Sequence, residues 1–428
     1  MLTNKIYETY HIKSFEKIYF FIMVIYMAFM TPETRVTTGG IATRPIAFSI
    51  PIILTIILLI RNKINYNNKY YKFLLILCLW IITQIIVKKQ FNVSEIINYI
   101  YIIYAYILAY IHFSVYGKNI FRLYESIIVI LAKISIIIWG AAVLFPSINN
   151  IISNVFPATG YGHNILYLVN LMNPSGDQVT YGIIRNAGCS WEPGRYAIMI
   201  CLAILFNLYS NGITLKNNKK VIWLLFALLT TMSTTGYVLC AILYLYFYVK
   251  TINIKYIASA ILLIIGFLSI GLHISFIGEK LREKLNVKES IDHIESSWQW
   301  TEENNEKKGV AYSMDRFPSI YYESINFIHD PIIGYGANSS NSYFYQNYTT
   351  SIGFTGGLVQ ILSKHGIFIG LILLFILYKS SKIISKDFNS SKVLGFFIYS
   401  IFSMISYPLL WQNLYTALWF YGFFKNKK

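Results

Sequence analysis

Charge is scarce in this sequence. Asp, Glu, Lys and Arg make up 13% of its 428 residues, about half of the roughly 25% found in a typical water-soluble domain. That scarcity excludes an ordinary soluble fold, and with 56% hydrophobic residues the solvent the chain is built for is lipid. Cysteine is rare as well. Of the 4 present, Cys78, Cys201 and Cys240 lie inside apolar runs, so Cys189 stands alone outside them and no loop disulfide is implied. No His/Cys cluster has metal-ligand spacing, and there is neither a Walker-type loop nor a dinucleotide-binding glycine fingerprint.

What is present is a series of apolar runs, at 18–31, 45–60, 73–87, 96–116, 125–145, 195–210, 221–232, 237–249, 254–277, 350–378, 393–407 and 409–424. Most are long enough to cross a hydrocarbon core of about 30 Å. The expectation is an all-α integral membrane protein of about 12 transmembrane helices. Runs 221–232 and 237–249 are short, and 350–378 is too long for one straight span. The first run is not followed by a small-residue cleavage site and reads as a retained helix.

The formal net charge is +17, and its location explains it. With the N-terminus cytoplasmic and the spans alternating, the cytoplasmic stretches hold 21 Lys and Arg, against 5 in the outer loops 31–44, 88–95 and 146–194. The positive-inside rule is obeyed, and both termini come out cytoplasmic. The second large outer loop, 278–349, carries 7 basic and 11 acidic residues. The basic excess is thus a topology signal, and nucleic acid is not an expected partner.

The chain shows no internal repeat and reads as one membrane domain with two large extracytoplasmic insertions, 146–194 and 278–349. The first is nearly uncharged and rich in Asn, Gly, Tyr and Pro, which predicts an ordered, irregular loop. The second opens on 279–296, where Leu281, Leu285, Ile291 and Ile294 recur near helical spacing among charges, fitting an amphipathic helix at the membrane surface. An aromatic, helix-like run follows over 312–329, and then a turn, Asp330-Pro331-Ile332-Ile333-Gly334-Tyr335-Gly336.

The candidate chemistry concentrates in a few segments. In Arg185-Asn186-Ala187-Gly188-Cys189-Ser190-Trp191-Glu192-Pro193-Gly194-Arg195, two arginines and a carboxylate meet a Pro-Gly turn where the chain re-enters the membrane. Either Glu192 caps the helix that Pro193 starts while Arg195 snorkels or pairs with it, or the guanidinium groups serve a phosphorylated, membrane-borne substrate. Ser233-Thr234-Thr235-Gly236 interrupts an apolar stretch. It is either the tight turn of a helical hairpin or a cradle for phosphate or sugar through Ser233 and Thr235. Arg316 offers a guanidinium from the second loop, unless it only pairs with Asp315 or Glu323. Lys364 and His365 break the run 350–378 and mark either a helix end or a site. Lys133, mid-span, needs a partner or a water-filled cavity.

The ordered set Arg185-x-x-Gly188-x-x-x-Glu192-Pro193-Gly194, then Ser233-Thr234-Thr235-Gly236 at a helix break, then Arg316 and Pro331-x-x-Gly334-x-Gly336, resembles the superfamily of Wzy-type O-antigen and capsular polysaccharide polymerases and O-antigen ligases. The resemblance spans about 185–366 of the chain. It implies a glycosyltransferase in the cytoplasmic (inner) membrane that uses an undecaprenyl-diphosphate-linked oligosaccharide at the outer face, with no metal or cofactor. Membrane lipid is a further partner, and there is room for a chain-length regulator. Carried onto these residues, Arg185, Glu192 and Arg316 would be catalytic, and Gly188, Arg195, Ser233, Thr235, Tyr335, Asn341 and His365 would bind substrate. Tyr343, Tyr345 and Tyr348 would stack on sugars. Members often carry a His shortly after the Pro-x-x-Gly-x-Gly turn. Here Ala337-Asn338-Ser339-Ser340-Asn341-Ser342 has none, which leaves Glu192 and His365 as substitutes for the general base. A ligase acting on lipid A core and a non-enzymatic lipid-linked oligosaccharide transporter are the alternatives.

Overall fold

The structure, a computed structural model, describes residues 12–29, 43–156, 158–159, 162–166, 168–172, 179–180, 183–216, 218–249, 312–313, 316–338, 341–348, 352–353 and 357–425, a few of them, Arg316 included, by backbone alone. The expected span 254–277 and the amphipathic stretch 279–296 lie outside the described residues.

The apolar runs form helices: α1 Ser14–Phe29, α2 Thr43–Arg61, α3 Asn68–Val87, α4 Val93–Tyr116, α5 Asn119–Leu144, α7 Pro193–Asn211, α8 Lys219–Thr230, α9 Thr234–Tyr248 and α12 Gly357–Asp387. Five of these, α3, α4, α5, α7 and α12, are long and apolar enough to cross a membrane. The chain is therefore a membrane-embedded helical protein. Its outer surface fits that environment: on α3, Leu75, Leu79, Ile82 and Ile86 follow one another at helical spacing and are between 51% and 61% exposed, a stripe suited to lipid rather than water.

Several of the other described helices are shorter than a full crossing. α8 has 12 residues and α9 has 15. Run 393–407 yields α13 Gly395–Met404, of 10 residues, and run 409–424 yields α14 Asn413–Trp419 and α15 Tyr421–Phe424. Ten residues of helix rise about 15 Å, half of a hydrocarbon core. The last two expected spans are thus joined by irregular backbone, 405–412, which lies beside Arg195 at the start of α7. The expected split of run 350–378 occurs at Gly366, where φ is 71° inside α12.

At the centre stands α7. Its residues 193–209 are all buried, ringed by α1, α5, α8, α9 and α13. Lipid tails are as apolar as leucine, so such enclosure rests on close packing and polar contacts rather than on the hydrophobic effect. Both are present. Gly236 of α9 approaches so closely that a Cβ there would lie 2.5 Å from the Ala197 Cβ, while the hydroxyls of Tyr124 and Tyr399 donate to the α7 carbonyls of Met199 and Ile198 at 3.2 and 3.1 Å.

The bundle has two chemically distinct ends. At one, Tyr116 donates to the Glu16 carbonyl (2.8 Å), Asn67 to that of Phe424 (2.9 Å), and Tyr209 to that of Lys392 (3.0 Å), while Lys425 pairs with Asp387. The basic loops meet here. At the other end the first insertion is more regular than an irregular loop. It forms α6 Pro146–Val155, then an antiparallel sheet of β1 Ala158–Thr159, β2 Gly162–Ile165 and β3 Val169–Met172, then the pair β4 Val179–Thr180 and β5 Ile183–Ile184. From the second insertion come β6 Tyr312–Ser313, α10 Arg316–His329 and α11 Tyr343–Tyr348, with β6 parallel to β7 Ile352–Gly353.

Candidate functional site

The polar groups at this second end form three linked clusters. The first joins the first insertion to the α8–α9 turn. Arg185 donates from Nε to the Thr231 carbonyl (3.1 Å), and Asn186 donates from its backbone to the Thr230 carbonyl (3.0 Å) and from Nδ2 to Thr230 Oγ1 (2.9 Å) and Ser135 Oγ (3.3 Å). Ser233 caps α9 by accepting from the Gly236 amide, and Met232 before it has φ of 46°. The hairpin-turn reading of this tetrapeptide therefore holds for Ser233, while the turn as a whole is brought against Arg185. Thr235 lies half-buried in the first turn of α9. Gly188 has φ of 50°, and a Cβ there would lie 2.2 Å from the Tyr196 ring; this glycine is required for close packing.

The second cluster surrounds Arg195. Rather than snorkelling outward, the residue is 2% exposed, and its guanidinium donates from Nη2 to the Met27 carbonyl (3.0 Å) and to Gln412 Oε1 (2.6 Å). Ser190 donates to the Ala28 carbonyl (3.1 Å). Both carbonyls belong to the last turn of α1, the negative end of its dipole, so the cation sits where the helix field favours it. Glu192 is the N-cap residue with extended backbone (φ −147°), and Pro193 starts the helix as expected. The Glu192 side chain makes no capping bond to the first-turn amides, so it does not act as the expected cap.

In the third cluster the 331–336 turn locks into the break in α12. Tyr335 and Gly336 amides donate to the Ser363 and Lys364 carbonyls (2.9 and 3.2 Å), and the Ile367 amide donates to Pro331 (2.8 Å). Gly334 and Gly366 have φ of 76° and 71°. A Cβ on Gly334 would lie 2.5 Å from the Lys364 carbonyl, and one on Gly366 would overlap the Ile332 carbonyl. From the α3–α4 hairpin, Gln84 donates to the Ile333 and Lys364 carbonyls (2.6 and 2.7 Å), Gln90 donates to that of Tyr335 (2.7 Å), and Lys88 pairs with Asp330. Beneath the turn, the fully buried Glu323 accepts from Tyr335 Oη (3.0 Å), Ser363 Oγ (2.5 Å) and Asn326 Nδ2 (3.5 Å). Burial pushes its carboxyl above the ordinary carboxylate range, opposed by these bonds and by the Lys364 charge.

His365 connects the second and third clusters. It is buried against Trp80, ring centroids 4.9 Å apart, and its Nε2 accepts from Trp411 Nε1 at 3.2 Å. Indole is a donor only, so this bond assigns the neutral tautomer with its proton on Nδ1. In that state the ring has no lone pair left with which to take a proton. Trp411 itself has φ of 71°, a strained value for an aromatic residue, and its neighbour Gln412 is the residue that holds Arg195. The irregular connection 405–412 thus carries both contacts.

Of the other expected site residues, Arg316 is the first residue of α10, and its side chain lies outside the described residues. Asn341 is half-buried, and its amide donates to the Asn338 carbonyl (3.2 Å). Tyr343 stacks on His329 at 3.5 Å, Tyr345 is half-buried, and the Tyr348 side chain lies outside the described residues. Lys133 is exposed on the bundle surface with Nζ 5.5 Å from the centroid of the Trp223 ring, the partner its position called for. Sequence reasoning passed over Gln84, Gln412 and Glu323 in any site role. For the two glutamines a signal existed, an amide inside an apolar run, whereas Glu323 was visible only as an ion-pair partner for Arg316. Among the described residues no group of three or more His, Cys, Asp or Glu side chains is placed to hold a metal ion. No known protein family, curated protein or solved structure matches the chain.

Proposed function

We propose that the chain is a polysaccharide polymerase that joins undecaprenyl-diphosphate-linked repeat units at the outer face of the cytoplasmic membrane. In this reading the basic bundle end faces the cytoplasm. The observation that carries it is the meeting of Arg185 with the α8–α9 turn at the end where α7 and α9 both begin. Two positive helix ends and a guanidinium then share one region, an arrangement that favours a phosphate anion held at the membrane surface.

In the reaction, a hydroxyl of one lipid-linked unit attacks the anomeric carbon of the other. The new glycosidic C–O bond forms as the bond to the diphosphate oxygen breaks, and charge grows on the departing diphosphate. Arg185 stabilises that charge, and Arg316 adds a second guanidinium from the other insertion. Arg195, enclosed by Met27 and Gln412, positions the start of α7 rather than touching substrate. His365, with its proton on Nδ1, orders the 405–412 connection. Glu192, at the start of α7, orients an arginine or accepts the attacking hydroxyl's proton.

The test is reconstitution of purified protein in liposomes with an undecaprenyl-diphosphate-linked repeat unit, scored by the product ladder. Replacing one well-placed charge-stabilising donor costs about 10²–10³ in turnover, so Arg185→Ala should lose about that much while Arg185→Lys retains part. A folded Arg185→Ala protein with full activity would refute the reading. When lipid A core is added as acceptor, a single transfer to it without a ladder would make the protein a ligase.

A further inference from the structure

At the basic end of the bundle, far from the clusters above, the starts of α5 and α8 and the ends of α7 and α12 surround a cavity of about 770 Å³. Five cations line it, Lys118, Arg122, Lys216, Lys219 and Lys220, against two carboxylates, Glu125 and Asp387. Both carboxylates are already engaged. Glu125 accepts from Asn207 (2.7 Å) and pairs with Lys220 (3.4 Å), while Asp387 accepts from Tyr421 (2.6 Å) and pairs with Lys425. Among the described residues, Lys118, Arg122, Lys216 and Lys219 have no carboxylate within ion-pair distance.

The cavity is also built. Phe121 packs on Phe206 and Phe388 with centroids 5.0 and 5.2 Å apart, giving it a rigid aromatic floor. The fully buried Asn207 exchanges side-chain bonds with Asn218 (2.7 and 3.3 Å), which fixes the loop bearing Lys216 against the floor. Topology alone requires basic residues somewhere in these loops. It does not require them to converge on one concave, aromatic-floored space that two helix N-termini also enter.

We propose that this cavity binds a phosphate-bearing anion, either the headgroup of an acidic phospholipid or a free phosphate compound. Its position at the helix ends matches headgroup depth, and its volume exceeds what a lone phosphate fills. The site is independent of the glycan chemistry at the opposite end.

The experiment uses the full chain in nanodiscs, where both faces are open, so its outcome does not depend on orientation or polymerase activity. Discs of phosphatidylcholine alone are compared with discs containing cardiolipin, and with phosphatidylcholine discs given inorganic pyrophosphate. The readouts are thermal stability and lipid co-purification by native mass spectrometry. Stabilisation by cardiolipin, reduced at least tenfold in apparent affinity by Lys216→Glu with Lys219→Glu and unchanged by Lys382→Glu outside the cavity, supports a headgroup. The same pattern with pyrophosphate alone supports a soluble source. If the paired reversal does not fold, Lys216→Gln and Lys219→Gln singly carry the comparison. No stabilisation by either probe, or equal effects in cavity and control variants, overturns the site.

Discussion

Glu323 shows how a single residue can carry a cost and a function of placement at once. Its carboxyl is fully buried and gathers Tyr335, Ser363 and Asn326 beneath the 331–336 turn, while burial raises its pKa. An acid whose folded pKa lies above its unfolded value contributes stability at low pH that is lost as pH rises through the folded value. Stability should therefore fall from the ordinary carboxylate range upward. Glu323→Gln removes that titration, so its melting temperature in detergent should decline less than the parent's as pH rises above the ordinary carboxylate range. Parallel curves would show that Glu323 does not titrate in this range. Glu323→Ala should instead cost about 1–3 kcal/mol, because it strands buried hydroxyl donors. None of this was legible in the sequence, where Glu323 is one acid in an aromatic run and its partners Tyr335 and Ser363 lie 12 and 40 residues away. Arg195 is the converse case. Its position at the start of a helix was legible, but its direction, inward to Gln412, depended on a contact 217 residues distant.

Among the elements, the break in α12 and the turn that fills it are complementary parts. Gly366→Ala should cost about 2–5 kcal/mol, combining a left-handed backbone penalty with overpacking against Ile332. Gly140→Ala is the control. That glycine lies inside α5, where an added Cβ would meet nothing within 4 Å, so the change should be neutral or stabilising by up to about 1 kcal/mol. Thermal melts of the two variants decide the matter, and equal behaviour would mean the break is not tightly determined. Helix positions and the split at Lys364-His365 were legible, since hydropathy and ionisable residues register directly in sequence. The irregular connection between α13 and α14 was not. Both flanking runs are apolar, and nothing local announces that Trp411 between them adopts φ of 71°. The small sheet of the first insertion was equally silent, its strands being no longer than 4 residues.

For the whole molecule, the two bundle ends differ in charge, and the orientation proposed above follows from that asymmetry. Single cysteines in a cysteine-free background test it with a membrane-impermeant maleimide. Phe91→Cys, at the α3–α4 connection, should label in intact cells, and Lys216→Cys should label only after permeabilisation. The reverse pattern would invert the protein and move the polymerase reading to the wrong face.

The enclosure of α7 bears on how the molecule is assembled. It is the least hydropathic of the five long helices, as suits a segment that ends up touching protein on every side. Yet it enters the membrane long before Gln412 exists. At a synthesis rate of about 5–20 residues per second, the 217 residues separating Arg195 from Gln412 take roughly 10–40 s to make. For that interval the partner already made for the Arg195 guanidinium is the Met27 carbonyl at the end of α1.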